Sequence, residues 1–74
     1  MNNLNVAKIQ LNGDSYEVIN GTNLNELLNK LKLQKKKNKI AIEVNGEIVE
    51  KNKYSNLILN KDDKVEIVHF IGGG

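Results

Sequence analysis

Apolar and polar residues alternate along four stretches of this chain, and one stretch breaks the rhythm. From Val6 to Leu11, Ala7, Ile9 and Leu11 share one face while Lys8 and Gln10 take the other. A period of two marks a half-buried strand. Asn12-Gly13 follows, a dipeptide suited to the positive φ of a tight hairpin turn, and Tyr16 to Ile19 reads as the returning strand, closed by Asn20-Gly21. The rhythm then changes. Leu24, Leu27, Leu28 and Leu31 fall at i, i+3, i+4 and i+7, one stripe of a helix. Thr22 or Asn23 can cap it, and Asn23 with Glu26 has capping-box spacing. No β-branched residue interrupts the stretch between Asn23 and Gln34, so a single helix is expected there.

Alternation resumes at Ile40, Ile42 and Val44, and Asn45-Gly46 turns the chain into Ile48-Val49. A less regular segment carries Tyr54, Leu57, Ile58 and Leu59 ahead of Asn60-Lys61-Asp62-Asp63. Val65 to Ile71 is the strongest strand signal of all. Two hairpins, a helix after the first and a final strand describe an α+β domain with the helix on one sheet face. The first and last strands lack a short connection, so they can pair in parallel at the sheet centre. That arrangement is the β-grasp, or ubiquitin-like roll, with a mixed sheet. The expected core packs Ile9, Leu11, Ile42, Val44, Val65 and Ile67 against Leu24, Leu27, Leu28 and Leu31.

Residues 72–74 add Gly72-Gly73-Gly74 after the strand. The division expected is a domain over 1–71 and a flexible glycine tail over 72–74. Three extended glycines reach about 10 Å beyond the sheet, and without Cβ atoms they can thread a narrow channel. The terminal carboxylate is thereby expected to be the reactive atom. A frayed or linker-like tail is the plain alternative.

Composition narrows the choices. Seventy-four residues allow one domain and a modest core, burying roughly 60% of the unfolded surface, with no room for a substrate cleft and a catalytic apparatus. No catalytic residue is assigned, and the expectation is a protein that is not an enzyme. With no cysteine, disulfides, thiolate metal sites and nucleophilic thiols are excluded. The single histidine and scattered carboxylates offer no metal-ligand spacing. No apolar run reaches the ~18 residues of a membrane span, and the polar start is no signal peptide, so a cytoplasmic location is expected. The net charge of +2 is too small to select nucleic acid. Lys30, Lys32, Lys35, Lys36, Lys37 and Lys39 form a basic run with no acidic residue, but it lacks arginine and interleaved aromatics. Such a run is most simply a solvated loop, and nothing in the sequence supports the alternative of steering toward an acidic partner.

Near the glycines, alternation puts His69 on the face of Ile67, toward the core edge, where a structural role outweighs a catalytic one. Val68 and Phe70 fall on the opposite face with Glu66. An apolar pair on an open sheet beside a reactive terminus reads as a docking surface, extended by Ile71.

The segment from Val65 through His69-Phe70-Ile71 to Gly74 resembles the C-terminus of the ThiS family, small sulfur carriers of thiamine biosynthesis. So do the Leu11-Asn12-Gly13 hairpin, the Glu26-Leu27-Leu28 helix, the Val44-Asn45-Gly46 turn and the Asp62-Asp63-Lys64-Val65 lead-in. The resemblance implies that an E1-like adenylyltransferase consumes ATP to convert the Gly74 carboxylate into an acyl-adenylate. A persulfide donor then displaces AMP to leave a thiocarboxylate, and thiazole synthase takes the sulfur. Gly72 and Gly73 would thread the partner's active site, with Val68, Phe70 and Ile71 docking against it. No bound cofactor, no metal, no nucleic acid or membrane partner and a monomeric free state are expected. Three glycines stand where some members have two, and the basic run is longer than the pattern leads one to expect. Two other readings stay open: the sulfur-donating small subunit of molybdopterin synthase, and a ubiquitin-like modifier or interaction module.

Overall fold

Each alternating stretch becomes a strand of one sheet in the computed structural model, which describes residues 5–70. The strands are Val6–Leu11 (β1), Asp14–Ile19 (β2), Ile40–Val44 (β3), Glu47–Ile48 (β4) and Lys64–His69 (β5). The helix is Leu24–Lys30 (α1), and two 3₁₀ helices cover Gln34–Lys39 and Lys51–Asn56. The five strands lie in the order β2-β1-β5-β3-β4. β1 and β5 pair in parallel through Gln10↔Lys64 and Leu11↔Val65, and the other pairs are antiparallel. A mixed sheet with this central parallel pair and one helix is the β-grasp roll expected from the sequence.

Both hairpins turn on Asn-Gly with positive φ at each residue: 50° and 89° at Asn12 and Gly13, 54° and 87° at Asn45 and Gly46. These angles match the right-handed twist of the flanking strands. The two asparagine side chains then reach β5 from either side. Asn12 accepts from the Ile67 N–H at 2.7 Å and donates to the Ile67 carbonyl at 3.2 Å. Asn45 accepts from the Lys64 N–H at 2.9 Å and donates to Asp63 at 3.0 Å. Because β1 pairs with β5 only as far as Leu11↔Val65, the Asn12 amide does for Ile67 what a strand backbone would do.

The helix starts as expected, with a reciprocal capping box: the Glu26 N–H donates to Asn23 at 2.7 Å and the Asn23 N–H to Glu26 at 3.0 Å. It stops earlier than the leucine stripe predicts. Lys32 adopts φ 61°, its N–H bonds the Asn29 carbonyl, and the Leu33 N–H bonds the Leu28 carbonyl. Those two bonds form a Schellman closure, with lysine where glycine is customary. Beyond it the lysine run winds into the 3₁₀ helix Gln34–Lys39 instead of a loop. The second hairpin's return is also shorter than Ile48-Val49 implies, since β4 ends at Ile48.

Ile9, Ile42, Val44, Val65, Ile67, Leu24, Leu27 and Leu28 are buried together, as expected. Leu11 and Leu31 pack on this core only half-buried. Ala7, Val18, Ile40, Leu59 and Tyr54 complete it. Tyr54 hangs from the 3₁₀ helix Lys51–Asn56 and is 2% exposed, a core residue that no periodicity announced. The segment after it is tied to the helix start, where the Leu24 N–H bonds Leu57 and the Leu59 N–H bonds Thr22.

Candidate functional site

β5 is a two-sided strand. Val65 and Ile67 point under the helix at 1% and 8% exposure, while Val68 and Phe70 stand 51% and 57% exposed on the other face. The register follows: Ala41↔Val68 and Glu43↔Glu66 are neighbours on that open face, and Ile48 lies opposite Glu43. Ile48 is also exposed, so the open face at this edge carries Ile48, Val68 and Phe70 around two carboxylates. Strand parity placed Val68 and Phe70 there, and the helix packs on the opposite side.

Phe70 is held just past the end of β5 by its N–H, which donates to the Lys39 carbonyl at 2.8 Å. That bond brings the last residue of the lysine-rich 3₁₀ helix alongside the apolar pair, a neighbour 31 positions away that sequence patterning missed. The signal was present only in the pairing of β3 with β5, which runs to Ile40↔His69 and so delivers Lys39 next. His69 is exposed rather than enclosed by the core edge, because the covering residues stop at Ile67.

Ile71, Gly72, Gly73 and Gly74 lie outside the described residues, as does the expected flexibility of the tail. Among the described residues no group of three or more His, Cys, Asp or Glu side chains could hold a metal ion. No helix among them is long and apolar enough to cross a membrane. An open hollow among the described residues, lined by Val44, Ile48, Leu57, Ile58 and Asp63 among others, lies toward the start of β5, away from Phe70. The described surface offers recognition: an apolar face, beside Lys39 and the Glu43 and Glu66 carboxylates, at the end of the strand that leads toward residues 72–74.

A one-helix β-grasp roll with an apolar open face beside its last strand defines a small ubiquitin-like domain. The ThiS family profile matches residues 9–74, and the chain belongs to that family. It is 41% identical over 68 residues to the sulfur carrier protein ThiS of Bacillus subtilis, covering 89% of this chain and 98% of that one. It is 42% identical over 67 residues to a thiazole synthase of Magnetococcus marinus, covering 90% of this chain. This chain spans only about one fifth of the length of that protein and of a second thiazole synthase it matches. Among solved structures, the thiamine biosynthesis protein ThiS of Geobacter metallireducens superposes with a TM-score of 0.78 at 30% identity, covering 90% of this chain and 99% of the other.

Proposed function

We propose that this protein is a sulfur carrier in thiamine biosynthesis, and that its reactive atom is the C-terminal carbonyl carbon of Gly74. The observation that carries the reading is the 41% identity over nearly the whole of a protein named as a sulfur carrier. The family match runs through residue 74, so it takes in the glycines.

The chemistry follows from the terminus. A carboxylate is a poor electrophile, and an E1-like adenylyltransferase overcomes this by joining one carboxylate oxygen to the α-phosphorus of ATP with loss of pyrophosphate. A persulfide sulfur attacks the resulting mixed anhydride, the acyl–oxygen bond breaks and AMP leaves. Reductive cleavage of the sulfur–sulfur bond by a thiol releases the thiocarboxylate, which thiazole synthase uses as its sulfur source. ATP is thus a substrate of the partner, and the carrier itself catalyses nothing. The alignment of almost the entire domain within proteins named thiazole synthase supports that enzyme as a partner. Val68 and Phe70, with Ile71 beyond them, provide the docking face. Gly72 and Gly73 reach through the active-site channel.

The test is ATP–pyrophosphate exchange with the adenylating enzyme, followed by intact mass. Wild type is expected to support exchange and, with a persulfide donor, to gain about 16 Da as sulfur replaces oxygen. Gly73→Val is expected to abolish exchange by adding bulk and restricting φ in the channel. Deleting Gly74 withdraws the carboxylate by about 3.5 Å and should impair transfer severely. Undiminished exchange by both variants would remove the tail from the mechanism.

A further inference from the structure

Every glycine before residue 72 follows an asparagine, at Asn12-Gly13, Asn20-Gly21 and Asn45-Gly46. At the two hairpin turns the backbone angle imposes this pairing, and crowding does not. Gly13 and Gly46 sit at φ 89° and 87°, and a Cβ on either would meet nothing within 4 Å. The pair that the turn demands is also chemically labile. A glycine nitrogen has no Cβ beside it to screen it, so it can attack the side-chain amide carbon of the asparagine before it. The new N–Cγ bond closes a succinimide ring, the Cγ–Nδ2 bond breaks, and ammonia leaves with the glycine's proton. Water then opens the ring at either carbonyl. One opening leaves aspartate, and the other leaves isoaspartate, with an extra carbon in the main chain.

The fold holds this reaction back. Both ends of the Asn12 amide are tied to Ile67, Oδ1 at 2.7 Å from its N–H and Nδ2 at 3.2 Å from its carbonyl. Both bonds are part-buried and bridge 55 positions of chain. Turning Cγ onto the Gly13 nitrogen breaks them, so the turn must first part from β5. The Asn45 amide is tied to the Lys64 N–H and the Asp63 carboxylate, but those bonds are exposed and water can replace them.

We propose that Asn12 is a one-way modification site, a deamidation centre that its clamp on Ile67 protects and whose product cannot rebuild that clamp. Aspartate at this position sets an oxygen that accepts but cannot donate against the Ile67 carbonyl. Isoaspartate lengthens the two-residue turn that fixes the register of β1 and β2. Either product loosens the strand that leads to Gly74. The reaction needs only water and does not depend on the sulfur-carrier reading.

Incubation in mildly alkaline buffer followed by peptide mass mapping tests it, since each deamidation adds about 1 Da. In denaturing urea Asn12 and Asn45 should react at similar rates. Without urea Asn12 should slow at least ~10-fold, and by more than Asn45. Asp63→Ala removes one bond to Asn45 and should speed modification there roughly 3-fold, with Asn12 unchanged. Asn12→Asp, the product itself, should have a lower urea midpoint than Asn12→Gly, which loses the clamp without adding a charge. Should Asn12→Asp fail to fold, deamidated wild type separated by anion exchange takes its place in that comparison. Equal rates at Asn12 with and without urea, or a native rate no lower than that of Asn45, would overturn the proposal. So would an unmodified Asn12 in urea, an Asn45 rate indifferent to Asp63→Ala, or a product as stable as wild type.

Discussion

The two faces of β5 carry similar side chains to opposite ends. Val65 and Ile67 are buried beneath α1, whereas Val68 and Phe70 in the same stretch stand exposed on the face turned away from that core. On the covered face an apolar residue is explained by the fold, because removing it from water is what holds sheet and helix together. On the open face the same explanation fails: a polar residue would serve the fold there as well. The difference separates residues whose burial holds the fold from residues that the proposed docking face would use.

The largest effect should come from the covered face. Leu28 is fully buried in the helix stripe, and Leu28→Ala should cost about 2–5 kcal/mol in a denaturant melt, since the cavity adds to the lost transfer energy. A loss below ~0.5 kcal/mol would show that the stripe is not the centre of the core. Next in size is Phe70→Ala on the open face. Stability should move by less than ~0.5 kcal/mol. Affinity for the adenylating partner should drop by about 2 kcal/mol, close to 30-fold by calorimetry. If Phe70→Ala destabilises the fold as much as Leu28→Ala does, the contrast between the faces collapses.

Much of this division is legible in the sequence, for a definite reason. A strand has a period of two, so once Val65 and Ile67 are assigned inward, Val68 and Phe70 must face outward. The Asn-Gly turns and the leucine spacing are equally local signals. Three features are not local. Tyr54 lies between Lys53 and Ser55 in a 3₁₀ turn, where no alternation flags it as core. The helix ends on Lys32 at positive φ, a closure normally announced by glycine. Lys39 meets Phe70 only because β3 and β5 pair. The candidate site was half readable: the apolar pair followed from parity, but its basic neighbour required the topology.

The contrast also depends on register, since a slip of one residue would exchange the faces of β5. The Asn12 amide grips Ile67 where β1 no longer does. Asn12→Gly keeps the positive φ and deletes only the amide, so it should cost about 1–2 kcal/mol by leaving part-buried backbone groups unpaired. Asn45→Gly removes exposed contacts at the other turn and should cost roughly half as much. Equal costs in urea melts would mean that the two turns, rather than the clamp on Ile67, set the register.

The smallest effect is a pH dependence confined to the covered side. Burial pushes the Tyr54 hydroxyl above its ordinary value of 10.0, because the phenolate would lose hydration inside the core. With the folded value raised, the native state retains a proton that the unfolded chain has begun to release. Stability from this source is therefore complete below about pH 10 and declines as pH rises through the shifted value. Tyr54→Phe has no proton to lose, so its urea midpoint should fall less steeply between about pH 9.5 and 11, each protein referred to its own value at pH 8. Contributions from every other group are common to both proteins and largely cancel in the comparison. Parallel slopes would show that the phenol is solvated in the native state and that Tyr54 belongs with the open surface rather than the core.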